Sequence, residues 1–261
     1  MEPIRERKIA LVTGGAKGLG KATALALADM GCDVAISYVR SEQEAQSLVS
    51  ELQKRHVRAF AVKADMSDRE AIFRMVTEIR KELGEIDIVV NNAGPFIRDR
   101  KCFIEYETAD IDYLLYGNLI GVMELDRLVI PAMRQKRWGR IIHFGFGHAG
   151  ETRGWQHRAV YAAAKVGLAS FTKSLALEEA PYGITVNMVC PGDIRGMFKE
   201  LGIAEARQHS DQETPRGRPG SGEDVARVIR FLCQDESDFI TGNTIDITGG
   251  LDPIRTIVPT T

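Results

Sequence analysis

Ile9-Ala10-Leu11-Val12-Thr13-Gly14-Gly15-Ala16-Lys17-Gly18-Leu19-Gly20 is the stretch on which the fold turns. Its first part is a short apolar run, which predicts a strand over residues 8–13. The glycines follow at once, and residues 21–30 then read as an amphipathic helix closed by Gly31. Strand, glycine turn and helix together make the setting of a phosphate-binding loop. The glycines let the backbone turn tightly and approach a pyrophosphate, and the helix start offers unpaired N–H donors. The spacing Gly14-x-x-x-Gly18-x-Gly20 is not the G-x-G-x-x-G of the commonest dinucleotide fingerprint. Its position directly after a strand is what gives it weight. The candidate phosphate contacts are Gly14, Lys17, Gly18, Leu19 and Gly20.

Working outward, the same alternation repeats. Residues 33–38 predict a strand and 41–54 a helix. Residues 57–64 predict a strand ending at Asp65-Met66, and 68–83 a helix with an acidic cap and Gly84 at its end. Residues 86–90 predict a strand that opens into Asn91-Asn92-Ala93-Gly94, where amides and small residues let a ligand come close. This rhythm implies an α/β fold, a doubly wound parallel sheet of about seven strands with helices on both faces. Ligands then bind at the carboxyl ends of the strands. At the end of the second strand, where an NAD-selective site carries an acid, stands Tyr38, followed by Arg40 and Ser41. An arginine accommodates a 2′-phosphate that an acid would repel. With Lys17 in reach of the same group, the pattern favours NADP(H) over NAD(H). Surface solvation is the competing account of both cations.

The second half continues with a long helical stretch, residues 108–133, containing Asn118 and with Pro131 in its last turn. A strand over 139–144, a loop to Arg158 and a helix over 159–177 follow. A strand over 184–189 ends in Cys190-Pro191-Gly192. Residues 193–222, rich in charge, Gly and Pro, suit a flap over a substrate pocket, with an apolar patch at Met197, Phe198 and Leu201. A helix over 223–233 and a strand over 244–248 complete the pattern. No repeat or linker divides the chain, so residues 1–261 read as one domain. Within the 159–177 helix, Tyr161 and Lys165 share a face at i and i+4. An ammonium beside a phenol favours phenolate, the condition for general acid–base work, and the expected effect is a lowered tyrosine pKa. The spacing alone is equally that of two ordinary helix residues.

Bulk properties narrow the class. The chain has 261 residues, 44% hydrophobic and 27% charged, with a formal net charge of −2. Interspersed charge of that size argues against nucleic acid or an anionic membrane as partner. Four scattered cysteines (Cys32, Cys102, Cys190, Cys233) show no metal-ligand spacing, and no metal is expected. Three of them lie in or beside apolar segments and read as buried thiols. The charged N-terminus lacks an apolar core, and no apolar run approaches the roughly 20 residues that span a bilayer. A cytoplasmic location is the expectation.

With these landmarks in sequence, the chain resembles the short-chain dehydrogenase/reductase family over essentially its whole length. The resemblance rests on the Thr13-to-Gly20 loop, Asp65, Asn91-Asn92-Ala93-Gly94, Asn118, Tyr161-x-x-x-Lys165 and Pro191-Gly192. Within the family it is most similar to bacterial 3-oxoacyl-carrier-protein reductases. The resemblance implies a Rossmann-type fold and hydride transfer between a nicotinamide and a carbonyl or secondary alcohol carbon. It implies that Tyr161 protonates the developing alkoxide, that Lys165 lowers the phenol pKa and holds the nicotinamide ribose, and that Asn118 positions a water leading to Lys165. Asp65 and Met66 would face the adenine, Asn91, Ala93 and Gly94 would line the cofactor, and Pro191, Gly192 and Ile194 would hold the nicotinamide end. It also implies a homodimer or homotetramer through helices at 108–133 and 159–180.

The sequence departs from the family pattern twice. Relatives carry a serine at the end of the fifth strand to hydrogen-bond the carbonyl oxygen. Matching the strand from Gly139 places Phe146 there, and counting back from Tyr161 lands on His148. No serine occurs between Arg134 and Arg158, and losing such a donor costs on the order of 10²–10³ in rate in other enzymes. Three readings stay open. His148 replaces the serine through a ring N–H; the substrate polarises itself or Tyr161 acts alone; or the protein binds NADP(H) as a sensor or regulator with weak or no turnover. Trp155 and His157 belong to the same loop, and His143 fits a core role better. The second departure is Gly196, where relatives often have a threonine for the nicotinamide carboxamide. A small carbonyl or alcohol substrate is expected, with carrier-bound substrate an option through Arg137. The alternative for Arg134, Lys136 and Arg137 is a solvated helix end.

Overall fold

Seven short apolar runs pair side by side, all parallel, in the order β3-β2-β1-β4-β5-β6-β7. The computed structural model describes residues 7–254. The strands are β1 (Ile9–Val12), β2 (Asp33–Tyr38), β3 (Ala59–Lys63), β4 (Ile88–Asn91), β5 (Gly139–Phe144), β6 (Ile184–Pro191) and β7 (Thr244–Ile247). Every residue of β1, β2, β4, β5 and β6 is buried, as a parallel sheet covered on both faces requires. Alternation by two sorts the side chains. Ala10, Val12, Val34, Ile36, Val90 and Ile142 face one core, and Ile9, Leu11, Ala35, Val89 and Ile141 the other.

The helices are α1 (Gly18–Ala28), α2 (Glu42–Gln53), α3 (Arg69–Glu82), α4 (Thr108–Leu115), α5 (Gly121–Lys136), α6 (Ala159–Glu179), the short α7 (Ile203–Ala206) and α8 (Gly222–Leu232). Leu27 of α1, Leu48 of α2 and Ile229 of α8 pack into the first core. Met75 of α3, Leu125 of α5 and Leu175 of α6 pack into the second. The strand order reverses between β1 and β4, and the crevice that such a reversal opens lies at their carboxyl ends.

Boundaries moved where backbone hydrogen bonding overrode the pattern. The helix after the glycine loop begins at Gly18, so the last glycines form its first turn. Asp68 caps α3 through its side chain, accepting from Glu70 N–H at 2.9 Å and Ala71 N–H at 3.1 Å. The stretch over 108–133 is not one continuous α-helix. A π-helical turn, Tyr116–Ile120, separates α4 from α5, and Pro131 lies well inside α5, which runs on to Lys136. Such wide turns turn a side chain out of its expected row and recur at functional sites; here the turn carries Asn118.

Near the strand ends a buried polar chain joins four elements. His143 Nε2 lies 2.8 Å from Asp126 Oδ2 and its Nδ1 lies 2.7 Å from Thr172 Oγ1. Asn91 Nδ2 donates to Asp126 Oδ1 at 2.9 Å. The Thr172 hydroxyl is spent on Leu168 O, so it accepts from the imidazole. The core role expected for His143 is what the structure shows. His143→Ala would leave Asp126 buried with the Asn91 amide alone and its Oδ2 unpaired, and urea unfolding should show a loss of about 3 kcal/mol. A loss below roughly 1 kcal/mol, the scale of an exposed pair, would contradict the role given to this chain.

Candidate active site

The glycine loop is held in place from two neighbouring strands. Gly14 and Gly18 take left-handed backbone angles, φ +61° and +59°, which glycine adopts without a Cβ penalty. From β2, Ser37 Oγ accepts Gly14 N–H at 3.1 Å and Ser37 O accepts Gly15 N–H at 3.0 Å. From the segment after β4, Asn92 Nδ2 donates to Thr13 O at 2.8 Å and Gly14 O at 3.1 Å, and Ala93 N–H donates to Thr13 Oγ1 at 2.9 Å. Ser37 and Asn92 were not among the residues singled out from sequence. Asn92 stood inside a quoted motif, but its partners lie about 80 positions away.

Tyr38 is buried at the carboxyl end of β2, and burial, with Glu42 adding to it, pushes its phenol up. Arg40 is exposed just beyond. Lys17 is drawn into an ion pair with Glu44 on α2, whose carboxyl is held below its usual range by that lysine. Ser41 forms the N-cap of α2. Asp65 closes a tight turn after β3, its Oδ1 accepting from Ser67 N–H at 2.9 Å and Ser67 Oγ at 2.7 Å, and Met66 is buried beside it.

Tyr161 and Lys165 do share the face of α6 that looks onto the strand ends. Lys165 is buried, its Nζ donating to Phe144 O at 2.8 Å and lying 5.9 Å from the centre of the Tyr161 ring. Burial lowers its pKa to about 8. Asn118 Nδ2 donates to Pro95 O at 2.8 Å and Leu114 O at 3.0 Å, while its buried Oδ1 has no partner. A Cβ on Gly94 would lie 2.3 Å from that Oδ1 and 3.4 Å from Lys165 Nζ. Only glycine fits there, and its bare backbone brings the orphaned acceptor and the ammonium to one point of the cleft.

The phenol departs from the expected direction. Tyr161 is partly buried, and its ring sits 5.0 Å from Phe96, 6.1 Å from Phe146 and 6.1 Å from Trp155. Loss of water raises its pKa, with the buried Cys190 thiol a second contribution. The lowering expected from Lys165 does not prevail because a ring of hydrocarbon disfavours phenolate more than the cation, spent on Phe144 O, favours it. Arg158 had no assigned role, yet it builds this wall. Its guanidinium stacks on Phe96 at 4.9 Å and donates to Asp99 O at 2.6 Å and Arg98 O at 2.7 Å. Those contacts fix the segment after Gly94 against α6.

Phe146 lies in the apolar cluster beside the phenol, its ring tilted against Trp155 with centroids 4.9 Å apart. His148 does not take the serine's place. Its backbone N–H donates to Asp246 Oδ1 at 2.7 Å, and its Nδ1 lies 2.8 Å from Glu151 Oε1 and 3.7 Å from Asp246 Oδ2. Two carboxylates are stronger acceptors than anything in an aromatic box, and they draw the imidazole towards β7. These three side chains bring ligand atoms within 4.8 Å of one another, a grouping that the cysteine-based expectation of no metal site overlooked. Arg153, 3.8 Å from Glu151 and 2.8 Å from Asp252, supplies countercharge beside it.

At the carboxyl end of β6, Pro191 closes the strand, Gly192 N–H donates to Ile247 O at 3.0 Å, and Ile194 is buried. Gly196 has φ +51° and open space around it. The cations at the end of α5 are tied internally: Arg134 to Glu179, Lys136 to Asp87, and Arg137 to Pro181 O. Of the cysteines, Cys32, Cys190 and Cys233 are buried and Cys102 is exposed, its Sγ 3.6 Å from His157 Nδ1. No helix among the described residues is long and apolar enough to cross a membrane.

Comparison with known proteins agrees with this geometry. A family model described as enoyl-(acyl carrier protein) reductase matches residues 14–252. A Bacillus subtilis protein named as an oxidoreductase, YtkK, is 45% identical over 247 residues, covering 94% of this chain and 97% of its own. The 3-oxoacyl-[acyl-carrier-protein] reductase FabG of Staphylococcus aureus is 34% identical over 249 residues, covering 94% and 98%. Among solved structures, one from Bacillus thuringiensis described as a 3-oxoacyl-reductase has TM-score 0.90 and 43% identity, covering 96% of this chain and 100% of that one. Acetoin dehydrogenase YohF of Salmonella typhimurium has TM-score 0.85 and 28% identity, covering 97% and 99%.

Because burial raises the Tyr161 phenol, it should stay protonated in the unliganded protein where a free tyrosine ionises, near pH 10. Phenolate absorbance through that range should therefore match between wild type and Tyr161→Phe. A wild-type component titrating below about pH 10 and missing from the variant would contradict the desolvated wall.

Proposed function

The chain belongs to the short-chain dehydrogenase/reductase family, and on that premise we propose that it is an NADP(H)-dependent reductase of ketones or aldehydes. The observation that carries this reading is the shared space around Gly94, bordered by Lys165 Nζ and the unpartnered Asn118 Oδ1. A cation and an unpartnered acceptor brought to the same backbone position suit a polar partner, a water or a ribose hydroxyl, that bonds to both. The residues present suit the cofactor at its other end too, with the glycine loop for the pyrophosphate and exposed Arg40 for the 2′-phosphate. Asp65 and Met66 flank the adenine in this reading, and Ala93, Gly94, Gly192 and Ile194 the nicotinamide. When bound, the nicotinamide supplies the hydride.

Tyr161 then donates its proton to the oxygen of the carbonyl as it becomes an alkoxide, a role for which a phenol kept protonated is suited. Lys165 stays charged over most of the neutral range and stabilises the phenolate left behind. Asn118, through its free Oδ1, holds the water by which that proton is replaced. Phe146 offers no second donor to the carbonyl oxygen. Substrates that polarise their own carbonyl suit this site best. The relatives named for 3-oxoacyl substrates and for acetoin point to ketones with a second oxygen function nearby. A 3-oxoacyl thioester, carrier-bound or free, and a diketone are both of this kind.

A homodimer or homotetramer built on α5 and α6 belongs to this reading, as FabG-like relatives suggest. A cytoplasmic setting suits the free thiols. A second reading, an NADP(H)-binding regulator with little turnover, draws on the same Phe146 and raised phenol. Tyr161→Phe separates the two. In a reductase it should lower kcat/KM for any reduced carbonyl by 100-fold or more, on the order of a lost positioned acid, with NADPH affinity kept. Turnover that survives the change would contradict the role of Tyr161. Arg40→Ala should weaken NADPH by about tenfold and leave NADH nearly unchanged, as loss of a charge-assisted phosphate contact would. Equal losses for the two would overturn the NADP preference.

A further inference from the structure

The flap is not simply laid over the cleft. It is tied to α8 at two points: Ile203 N–H donates to Glu223 Oε2 at 2.6 Å, and Arg218 makes two 2.8 Å bonds to Asp224. Just before the first of these anchors the chain crosses the start of α1. There Glu200 Oε1 accepts the Gly18 N–H at 2.7 Å, a contact between residues 182 positions apart. Glu200 Oε2 lies 3.6 Å from Lys21 Nζ, which also lies 3.7 Å from Glu51. Lys199, the neighbouring residue, closes over Gly18 at 3.6 Å from where a Cβ would stand.

The Gly18 N–H belongs to the unpaired first turn of an eleven-residue helix that follows a strand and a glycine turn. That is where a dinucleotide's pyrophosphate is received. We infer that Glu200 is the cofactor's built-in competitor, a carboxylate of the chain itself that holds the pyrophosphate position and must be displaced as the cofactor enters. This rests on the nicotinamide-cofactor reading above. Two anions cannot accept from one N–H, and Lys21 cannot neutralise the phosphate while it neutralises Glu200. Cofactor entry and movement of the flap away from α1 are thus one step. Glu200 sets the affinity for every ligand carrying the pyrophosphate, whereas the preference between NADP and NAD is set elsewhere, at Arg40.

The test is cofactor affinity, read by dihydronicotinamide fluorescence and calorimetry with no substrate present. Wild type is compared with Glu200→Gln, which removes the charge and keeps an acceptor, and with Glu200→Ala, which removes both. Unchanged thermal unfolding confirms that each variant is folded. The dissociation constant for NADPH should fall about two- to fivefold in Glu200→Gln, the scale of a partly exposed charge contact, and at least as far in Glu200→Ala. NADH should gain by the same factor, and adenosine 2′-monophosphate, which has no pyrophosphate, should gain nothing. Unchanged or weaker NADPH binding in both variants, with normal binding by wild type, would overturn this inference and leave the proposed function standing. An equal gain for adenosine 2′-monophosphate would overturn it too, since Glu200 would then act only by its long-range charge. If none of the three proteins binds either dinucleotide, the cofactor reading falls together with this one.

Discussion

Everything at the catalytic end depends on satisfying one buried ammonium. Lys165 is buried away from water, and among the described residues its ammonium donates one hydrogen bond, to the carbonyl at the end of β5. An ammonium has three protons to place, so the remaining donors face a small space whose other polar atom, Asn118 Oδ1, has none to accept. A buried charge in such company is costly unless something polar enters. The π turn that swings Asn118 inward and the glycine at position 94 both exist to keep that space open. The fold positions this arrangement, since β5 is held in parallel register between β4 and β6.

Much of that architecture was legible in the sequence, for a physical reason. A parallel sheet buried on both faces needs apolar runs, and those at 33–38 and 139–144 end on the residues that the pattern marks. The glycine loop and the Tyr161–Lys165 pair were also legible, because strand-to-helix turns and i, i+4 neighbours are local facts. What could not be read was pairing across distance. Nothing in the sequence says that Arg158 lies under Phe96, that Glu200 reaches Gly18, or that His148 turns to Asp246. The phenol's direction was misjudged for the same reason, because Phe96 and Trp155 come from separate loops and their burial outweighs a cation four residues away.

The two ends of the cleft are therefore built on different principles. The nucleotide end is polar and backbone-led, with amides from Asn92 and Ala93 and a hydroxyl from Ser37 holding the loop. The chemical end is aromatic, with Phe96, Phe146 and Trp155 around one phenol. Such a wall shields the partly buried phenol from water. In the reductase reading it leaves carbonyl activation to Tyr161 and to the substrate itself. The departure at Phe146 thus has a chemical meaning in the reductase reading, since it trades a general-purpose donor for selectivity towards carbonyls that need less help.

The measurement that tests this most directly is oxidation of NADPH with a 1,2-diketone or an acetoacetyl thioester, set beside a simple ketone of similar size. Hydride transfer would be timed with NADPH carrying deuterium at C4. The account predicts loss of the dihydronicotinamide absorbance with the self-polarised carbonyls, slowed by the deuterium, and far slower reaction with the simple ketone. Tight NADPH binding with no oxidation by any carbonyl would contradict it and make the protein a nucleotide-binding relative without the chemistry.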